Sequence, residues 1–173
     1  MIYFIIGGAR SGKSSYAESL AKNNDSDVIY IATAQAYDDE MQGRIEQHKQ
    51  QRPGEWPTFE EPLEISNVIN NESYSHNCLL IDCLTLWLTN LLCADKNIAG
   101  YKQQLLDALN NAKGDIILVS NETGMGVVPM GELTRRYCDE AGWLHQEVAA
   151  LADQVVLMVA GIPVVIKPMS SDH

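Results

Sequence analysis

The sequence predicts an α/β fold in which a mostly parallel sheet is flanked by helices, with residues 1–173 forming a single domain. Short apolar runs alternate with stretches of helical periodicity, which is the pattern of strands joined by crossover helices. Several runs are continuous rather than alternating, as expected for strands that helices cover on both faces. The first run passes directly into a glycine-rich turn that opens the first predicted helix.

The apolar runs predict strands at 2–6, 28–32, 78–82, 116–120, 154–159 and 164–167. Helices are predicted at 14–22, 39–51, 84–93, 101–111 and 131–152, and Pro53 limits the second of them. Only Gly161-Ile162-Pro163 joins the last two runs, which predicts an antiparallel hairpin at one edge of the sheet. Trp87 and Trp143 are both expected to be buried.

The turn after the first strand matches the phosphate-binding pattern G-x-x-x-x-G-K-[ST] at every fixed position. Backbone N–H groups of such a turn, with the N-terminus of the helix that follows, form a cradle for phosphates. In this pattern the lysine reaches the β- and γ-phosphates and the final hydroxyl binds Mg²⁺. The motif predicts binding of a nucleoside triphosphate without specifying its reaction. We call this segment the phosphate loop; it consists of Gly7, Gly8, Ala9, Arg10, Ser11, Gly12, Lys13 and Ser14.

Other polar residues follow predicted strands, where α/β folds bind their ligands. Thr33, Asp82 and Asn121-Glu122 should therefore lie along one rim with the phosphate loop. Asp82 follows four apolar residues, a pattern typical of a carboxylate that supports Mg²⁺, although an aspartate can also cap a helix there. Glu122 is a candidate general base for phosphoryl transfer, or simply part of a polar loop.

The predicted helix at 39–51 carries a stripe of basic residues. Arg44, His48 and Arg52 are spaced four residues apart, and so they share one face, with Lys49 beside them. A neutral imidazole at His48 could attack the α-phosphorus of a nucleotide and expel pyrophosphate, while the arginines offset charge. A charged stripe of this kind is also typical of a solvated helix face. His145, in the last helix, is expected to be structural or solvated.

Composition limits the partners and the compartment. The net charge of −11 argues against a nucleic-acid partner, which usually needs a basic face. The four cysteines lack C-x-x-C spacing, which favours free thiols in a reducing compartment. The apolar run at 155–166 is interrupted and too short to span a bilayer, and residues 2–6 are too short for a signal-peptide core. We therefore expect a cytoplasmic protein.

Further segments, together with the phosphate loop, resemble one known family over nearly the whole chain. It is the bifunctional adenosylcobinamide kinase/adenosylcobinamide-phosphate guanylyltransferase of cobalamin biosynthesis. The segment around His48, with the Ser-Asn-Glu and Gly-Met-Gly segments, is more specific than the phosphate loop, which many NTPases share. The matching segments are Tyr30-Ile31-Ala32-Thr33-Ala34, Asp39-Glu40-Met41, Arg44-Ile45, His48, Arg52-Pro53, Trp56, Thr58, Glu60, Pro62, Asp82-Cys83-Leu84-Thr85-Leu86-Trp87-Leu88, Ser120-Asn121-Glu122, Gly124-Met125-Gly126, Val128-Pro129, Ala160-Gly161 and Lys167.

The resemblance implies a P-loop, RecA-like fold, a homotrimer and two reactions that use Mg²⁺ with GTP or ATP. ATP or GTP phosphorylates adenosylcobinamide, and GTP then guanylylates the product, giving adenosylcobinamide-GDP and pyrophosphate. The guanylylated residue would be His48. The nucleotide contacts of the family map onto the phosphate loop and onto Ile31, Ala32, Thr33, Lys49, Gln50, Gln51, Arg52, Glu60 and Asp82.

Three departures from the family pattern concern Thr123, Cys138 and His145, where Val, a basic residue and Asn are common. Without the resemblance, the residues leave two alternatives open. One is a kinase of another small hydroxylated substrate, in which His48 is structural. The other is a nucleotide-switched binding or motor module. The preferred kinase donor, the kinase base and the corrinoid surface are not determined by the sequence.

Overall fold

The computed structural model describes residues 1–23, 26–36, 43 and 54–169. Within these residues a seven-stranded sheet has the strand order β3-β2-β4-β5-β1-β6-β7. The strands are β1 (Ile2–Gly7), β2 (Asp27–Ala32), β3 (Thr58–Glu60), β4 (Asn77–Asp82), β5 (Asp115–Asn121), β6 (Gln154–Val159) and β7 (Ile162–Lys167). The helices are α1 (Lys13–Lys22), α2 (Ile65–Glu72), α3 (Leu84–Cys93), α4 (Ile98–Asn111) and α5 (Glu132–Leu151).

Strand pairing brings the carboxyl ends of the strands to one edge of the sheet. Every pair is parallel except β6 with β7, which is the antiparallel hairpin expected from the short Gly161-Ile162-Pro163 link. The register places Gly7 beside Asn121, and Ala32 beside both Asp82 and Glu60. The rim predicted from the sequence is therefore formed by the ends of neighbouring strands.

Helices cover both faces of the sheet, which explains the continuous apolar runs. Phe4 and Ile6 of β1 pack on one face against α2, α3, α4 and α5. Tyr3 and Ile5, the alternate residues, pack on the other face with α1. Both side-chain sets of the central strands are removed from water, and so both sets are mainly apolar.

The predicted strands and four of the predicted helices are present, with small differences at their ends. Helix α4 begins three residues earlier than expected because the Asn97 side chain accepts a hydrogen bond from the Gly100 N–H and caps the helix. Strand β3 and helix α2 were not predicted. The expected burial of Trp143 was wrong, since that side chain is 54% exposed, whereas Trp87 is fully buried. The predicted helix at 39–51 lies, except for Gly43, outside the described residues.

Helix α5 is the longest described helix, and β7 is tied to its end. The Lys167 ammonium donates hydrogen bonds to the Ala149 and Ala150 carbonyls at 2.9 and 3.0 Å, where free carbonyls and the helix dipole favour a cation. Of the helices in the described ranges, none combines the length and the apolar character needed to cross a membrane.

Candidate active site

The phosphate loop has a backbone that requires glycine at two positions. A Cβ atom at Gly7 would lie 2.5 Å from the Met158 carbonyl oxygen, and Gly12 has φ of 91°, a left-handed conformation. Gly12 is also the N-cap of α1, whose first turn starts at Lys13. The free N–H groups at the start of α1 therefore meet the loop, as an anion cradle requires.

The turn between β6 and β7 packs against the phosphate loop. The Gly161 N–H donates a hydrogen bond to the Ser11 carbonyl at 3.0 Å. A Cβ atom at Gly12 would lie 3.3 Å from the Gly161 Cα, so the two backbones approach closely. The hairpin at the sheet edge thus helps to fix the loop.

Lys13 is buried, and its ammonium donates a hydrogen bond to the Gly8 carbonyl at 2.6 Å. Burial lowers the pKa of Lys13, and the nearby Cys83 and Asp82 act in the opposite direction. The Asp82 carboxylate at the end of β4 therefore interacts electrostatically with the lysine of the phosphate loop.

Hydrogen bonds hold Asp82 and Thr33 at the ends of β4 and β2. One Asp82 carboxylate oxygen, Oδ2, accepts a hydrogen bond from the Tyr30 hydroxyl at 2.8 Å. The Thr33 hydroxyl donates to the Cys83 carbonyl at 2.7 Å and accepts from the Cys83 N–H at 2.9 Å. The chain therefore leaves β4 along a path that Thr33 fixes from the neighbouring strand. The Asp82–Cys83 peptide bond on this path is cis.

The other predicted nucleotide contacts on this rim differ in exposure. Ile31, Ala32 and Thr33 are buried, and so they shape the rim rather than project from it. Glu60, at the end of β3, is exposed next to Ala32. Arg44, His48, Lys49, Gln50, Gln51 and Arg52 lie outside the described residues.

The donor atoms at Ser14 and Asp82 fit a magnesium site of the kind that nucleotides complete. Mg²⁺ prefers oxygen ligands and usually takes one or two protein groups, with phosphates and waters filling the remaining positions. A hydroxyl at the start of α1 and a carboxylate at the end of β4 are such groups. Within the described ranges no set of three or more His, Cys, Asp or Glu side chains could hold a metal ion.

Glu122 lies next to the phosphate loop at the end of β5. Its N–H donates a hydrogen bond to the Gly7 carbonyl at 2.9 Å. Its carboxylate oxygen Oε1 accepts from the Gly124 N–H at 2.5 Å, and Oε2 lies 3.8 Å from Nδ1 of His145. The side chain remains 19% exposed, so a substrate could reach it.

The sequence did not predict that His145 lies beside Glu122 and Ser120. The His145 Nε2 lies 2.8 Å from the Ser120 hydroxyl, which lies 3.3 Å from the hydroxyl of Thr85. The Thr85 hydroxyl in turn accepts from the Asn121 N–H at 2.7 Å. The helical spacing of buried positions in α5 could have placed His145 on the inner face, but no local pattern connects it to Glu122.

Comparison with known proteins identifies the family of the chain. A family described as cobinamide kinase / cobinamide phosphate guanyltransferase matches residues 3–166. The chain is 54% identical over 165 residues to the bifunctional adenosylcobalamin biosynthesis protein CobP of Pseudomonas aeruginosa, covering 94% of this chain and 95% of that one. It is 39% identical over 182 residues to the Escherichia coli protein CobU of the same description, covering 96% and 100%.

Solved structures with low sequence identity share the fold. The flagellar accessory protein FlaH from Methanocaldococcus jannaschii aligns with a TM-score of 0.51 and 14% identity, covering 97% of this chain and 78% of that one. An ATPase from a type III secretion system aligns with a TM-score of 0.54 and 13% identity, covering 90% and 50%. These likenesses confirm the P-loop NTPase fold expected from the sequence. The family match and the relatives, taken with this fold, show that the chain belongs to the cobinamide kinase / cobinamide phosphate guanyltransferase family, whose members are bifunctional enzymes of cobalamin biosynthesis.

Proposed function

We propose that the enzyme phosphorylates adenosylcobinamide with ATP or GTP and then transfers GMP from GTP to adenosylcobinamide phosphate through His48. The observation that carries the kinase step is the direct contact between Glu122 and the phosphate loop through the Gly7 carbonyl. This backbone contact places Glu122 at the start of the loop that would hold the phosphates, and its side chain is 19% exposed. Family membership supports the two reactions, and the relatives at 54% and 39% identity are both described as bifunctional.

In the kinase step the phosphate loop holds the triphosphate and Lys13 offsets charge on the transferring group. Ser14 and Asp82 would hold Mg²⁺, which neutralises phosphate charge when bound. Glu122 accepts the proton of the aminopropanol hydroxyl while the oxygen of that hydroxyl forms a bond to the γ-phosphorus. The bond from the γ-phosphorus to the bridging oxygen breaks, and the nucleoside diphosphate leaves.

In the guanylyl step a neutral His48 nitrogen attacks the α-phosphorus of GTP. An N–P bond forms, the bond to the bridging oxygen breaks, and pyrophosphate leaves. A phosphate oxygen of adenosylcobinamide phosphate then attacks the same phosphorus and frees His48, giving adenosylcobinamide-GDP. Arg44 and Arg52, four residues before and after His48, support this role by offering charge to the phosphates.

Incubation with GTP labelled at the α-phosphate tests the covalent step. We expect a labelled protein adduct that is stable in alkali and lost in acid, and none in His48→Ala. The control is His76→Ala, which removes an exposed histidine far along the chain. Wild-type enzyme that forms adenosylcobinamide-GDP without any adduct would contradict the mechanism. His48→Ala should also retain kinase activity, because the γ-phosphoryl step does not use the imidazole.

We also propose that the enzyme assembles as a homotrimer in the cytoplasm and does not bind nucleic acid. The support for assembly is strand β7, where Ile162, Val164, Val165 and Ile166 are between 44% and 65% exposed. Among the described strands, β7 pairs only with β6 and so lies at the sheet edge. Apolar side chains exposed on an edge strand favour coverage by another copy of the chain. The net charge of −11 supports the absence of a nucleic-acid partner.

A further inference from the structure

We propose that His145 is a positioning residue for the kinase reaction, fixing the orientation of the Glu122 carboxylate beside the phosphate loop. The inference rests on the proposed role of Glu122 as the base. His145 does not touch the nucleotide site itself; it acts through the carboxylate, from the inner face of α5. The relevant contacts form one chain. It runs from the Asn121 N–H through the hydroxyls of Thr85 and Ser120 and the His145 imidazole to the Glu122 carboxylate.

The polarity of this chain follows from its two ends, the Asn121 N–H and the Glu122 carboxylate. The Asn121 N–H can only donate, so it occupies an acceptor position on Thr85 Oγ1 at 2.7 Å. The Thr85 hydroxyl hydrogen can then point to Ser120 Oγ at 3.3 Å, and the Ser120 hydroxyl hydrogen to His145 Nε2 at 2.8 Å. In this arrangement the proton of neutral His145 lies on Nδ1, which faces Glu122.

The reverse polarity is unfavourable. If Nε2 donated to Ser120, a neutral His145 would present a lone pair on Nδ1 to the Glu122 carboxylate at 3.8 Å. Two acceptors would then face each other in a largely buried position, which costs free energy because neither is satisfied. The Nδ1–H tautomer instead directs a positive N–H dipole at Oε2. At 3.8 Å this contact is electrostatic rather than a full hydrogen bond.

The surroundings keep His145 neutral in the absence of substrate. Burial lowers the pKa of His145, and the Glu122 charge only partly opposes this effect. The Phe4 ring, with its centroid 5.5 Å from that of the imidazole, adds an apolar neighbour from β1. The other titratable groups near Glu122 include Tyr137, whose pKa burial raises to about 12, so it stays neutral at working pH. Cys138 also lies nearby on α5, with its Sγ 4.0 Å from the Thr123 carbonyl.

Together, two N–H groups hold the two carboxylate oxygens. The Gly124 N–H lies 2.5 Å from Oε1, and the His145 Nδ1 lies 3.8 Å from Oε2. Both contacts point an N–H at a carboxylate oxygen and so fix the orientation of the group that accepts the proton. When the substrate hydroxyl transfers its proton, these two contacts keep the carboxylate in one orientation.

The test compares His145→Asn, Glu122→Gln and the double variant in kinase assays. Asparagine can still bond Ser120 but is too short to reach Glu122. We expect Glu122→Gln to lower the kinase kcat by about 100-fold, the lower range for a general base, and His145→Asn by about 10-fold. The KM for the nucleotide should change less than about twofold, because the phosphate loop is untouched. The double variant should be no slower than Glu122→Gln alone, since His145 acts through that carboxylate.

Adduct formation from α-labelled GTP shows whether each variant is folded and binds GTP, independently of Glu122. The matched control is His76→Asn, the same chemical change at an exposed histidine outside the site. If His145→Asn does not fold, the test uses Ser120→Ala instead. Without the Ser120 hydroxyl, Nε2 of His145 loses its hydrogen-bond donor, so the proton of the imidazole is no longer confined to Nδ1. We expect a smaller loss of kinase kcat in that variant, with the nucleotide KM retained.

Nitrogen-15 NMR of the imidazole provides a readout that a purely structural role would not move. We expect His145 to carry its proton on Nδ1 in the wild type, and Glu122→Gln to shift its resonances. A proton on Nε2 in the wild type, or an unchanged kinase kcat in a folded His145→Asn, would overturn the inference. If instead Glu122→Gln keeps full kinase activity, the base assignment itself is wrong.

Discussion

At the scale of single residues, the proposed nucleotide site contains a buried cation under the influence of a carboxylate. The Lys13 side chain is buried, and its ammonium donates a hydrogen bond to a carbonyl of the phosphate loop. The Asp82 charge acts to raise the pKa of Lys13. A buried ammonium costs free energy unless partners compensate. The pKa of Lys13 is lowered by burial, yet the carboxylate and the phosphates of a nucleotide favour the charged form.

Lys13→Ala should therefore remove most of the kinase activity. We expect a loss of about 100-fold in kcat/KM, comparable to removal of one donor from a preorganised anion site. Steady-state assays with ATP and with GTP measure it. Lys22→Ala, at the exposed end of the same helix, is the control and should be within about twofold of the wild type. Equal activity in both variants would remove Lys13 from the mechanism.

At the scale of secondary structure elements, helix α3 secures the segment that leads from β3 to α2. The Asn90 amide donates to the Thr33 carbonyl at 2.7 Å and to the Pro62 carbonyl at 3.0 Å. The Trp87 indole N–H donates to the Leu63 carbonyl at 2.7 Å, and its ring is fully buried. One helix thus satisfies carbonyls from two separate stretches of chain behind the rim of the site.

Trp87→Phe should lower the free energy of unfolding by about 2 kcal/mol or more, because it leaves the Leu63 carbonyl unsatisfied and a small cavity behind. Chemical denaturation measures the change. Trp143→Phe is the matched control: that ring is 54% exposed, and its replacement should change stability by less than about 0.5 kcal/mol. A similar cost for both variants would show that the indole hydrogen bond contributes little.

The secondary structure elements also show which parts of the fold can be predicted from the sequence and which cannot. Continuous apolar runs predicted β1, β2, β4, β5 and β6 because both faces of these strands are buried. The sequence did not predict strand β3, because this strand has only three residues, all exposed, and so shows no apolar pattern. The phosphate loop was predictable because its chemistry is contiguous in the chain. The contact of His145 with Glu122 was not, because a pairing so distant along the chain depends on how α5 packs.

At the scale of the whole molecule, β7 presents apolar side chains at the sheet edge. Val164→Lys should weaken self-association, because a charge desolvated at an interface is costly. Sedimentation velocity should give a smaller species than the wild type at equal concentration. Leu133→Lys places the same charge on another exposed apolar position, 61% exposed on α5, and should leave the mass unchanged. A monomeric wild type would contradict the proposed trimer.

The hydrogen bond from Gly161 to the Ser11 carbonyl connects this edge to the phosphate loop. The same hairpin has an outer strand that another copy would cover and an inner turn that steadies the loop. If coverage of β7 by another copy restrains that turn, assembly already orders part of the phosphate loop. Nucleotide binding then loses less conformational entropy. Thermodynamic linkage then runs both ways: nucleotide would tighten the assembly by the same factor by which assembly tightens nucleotide binding.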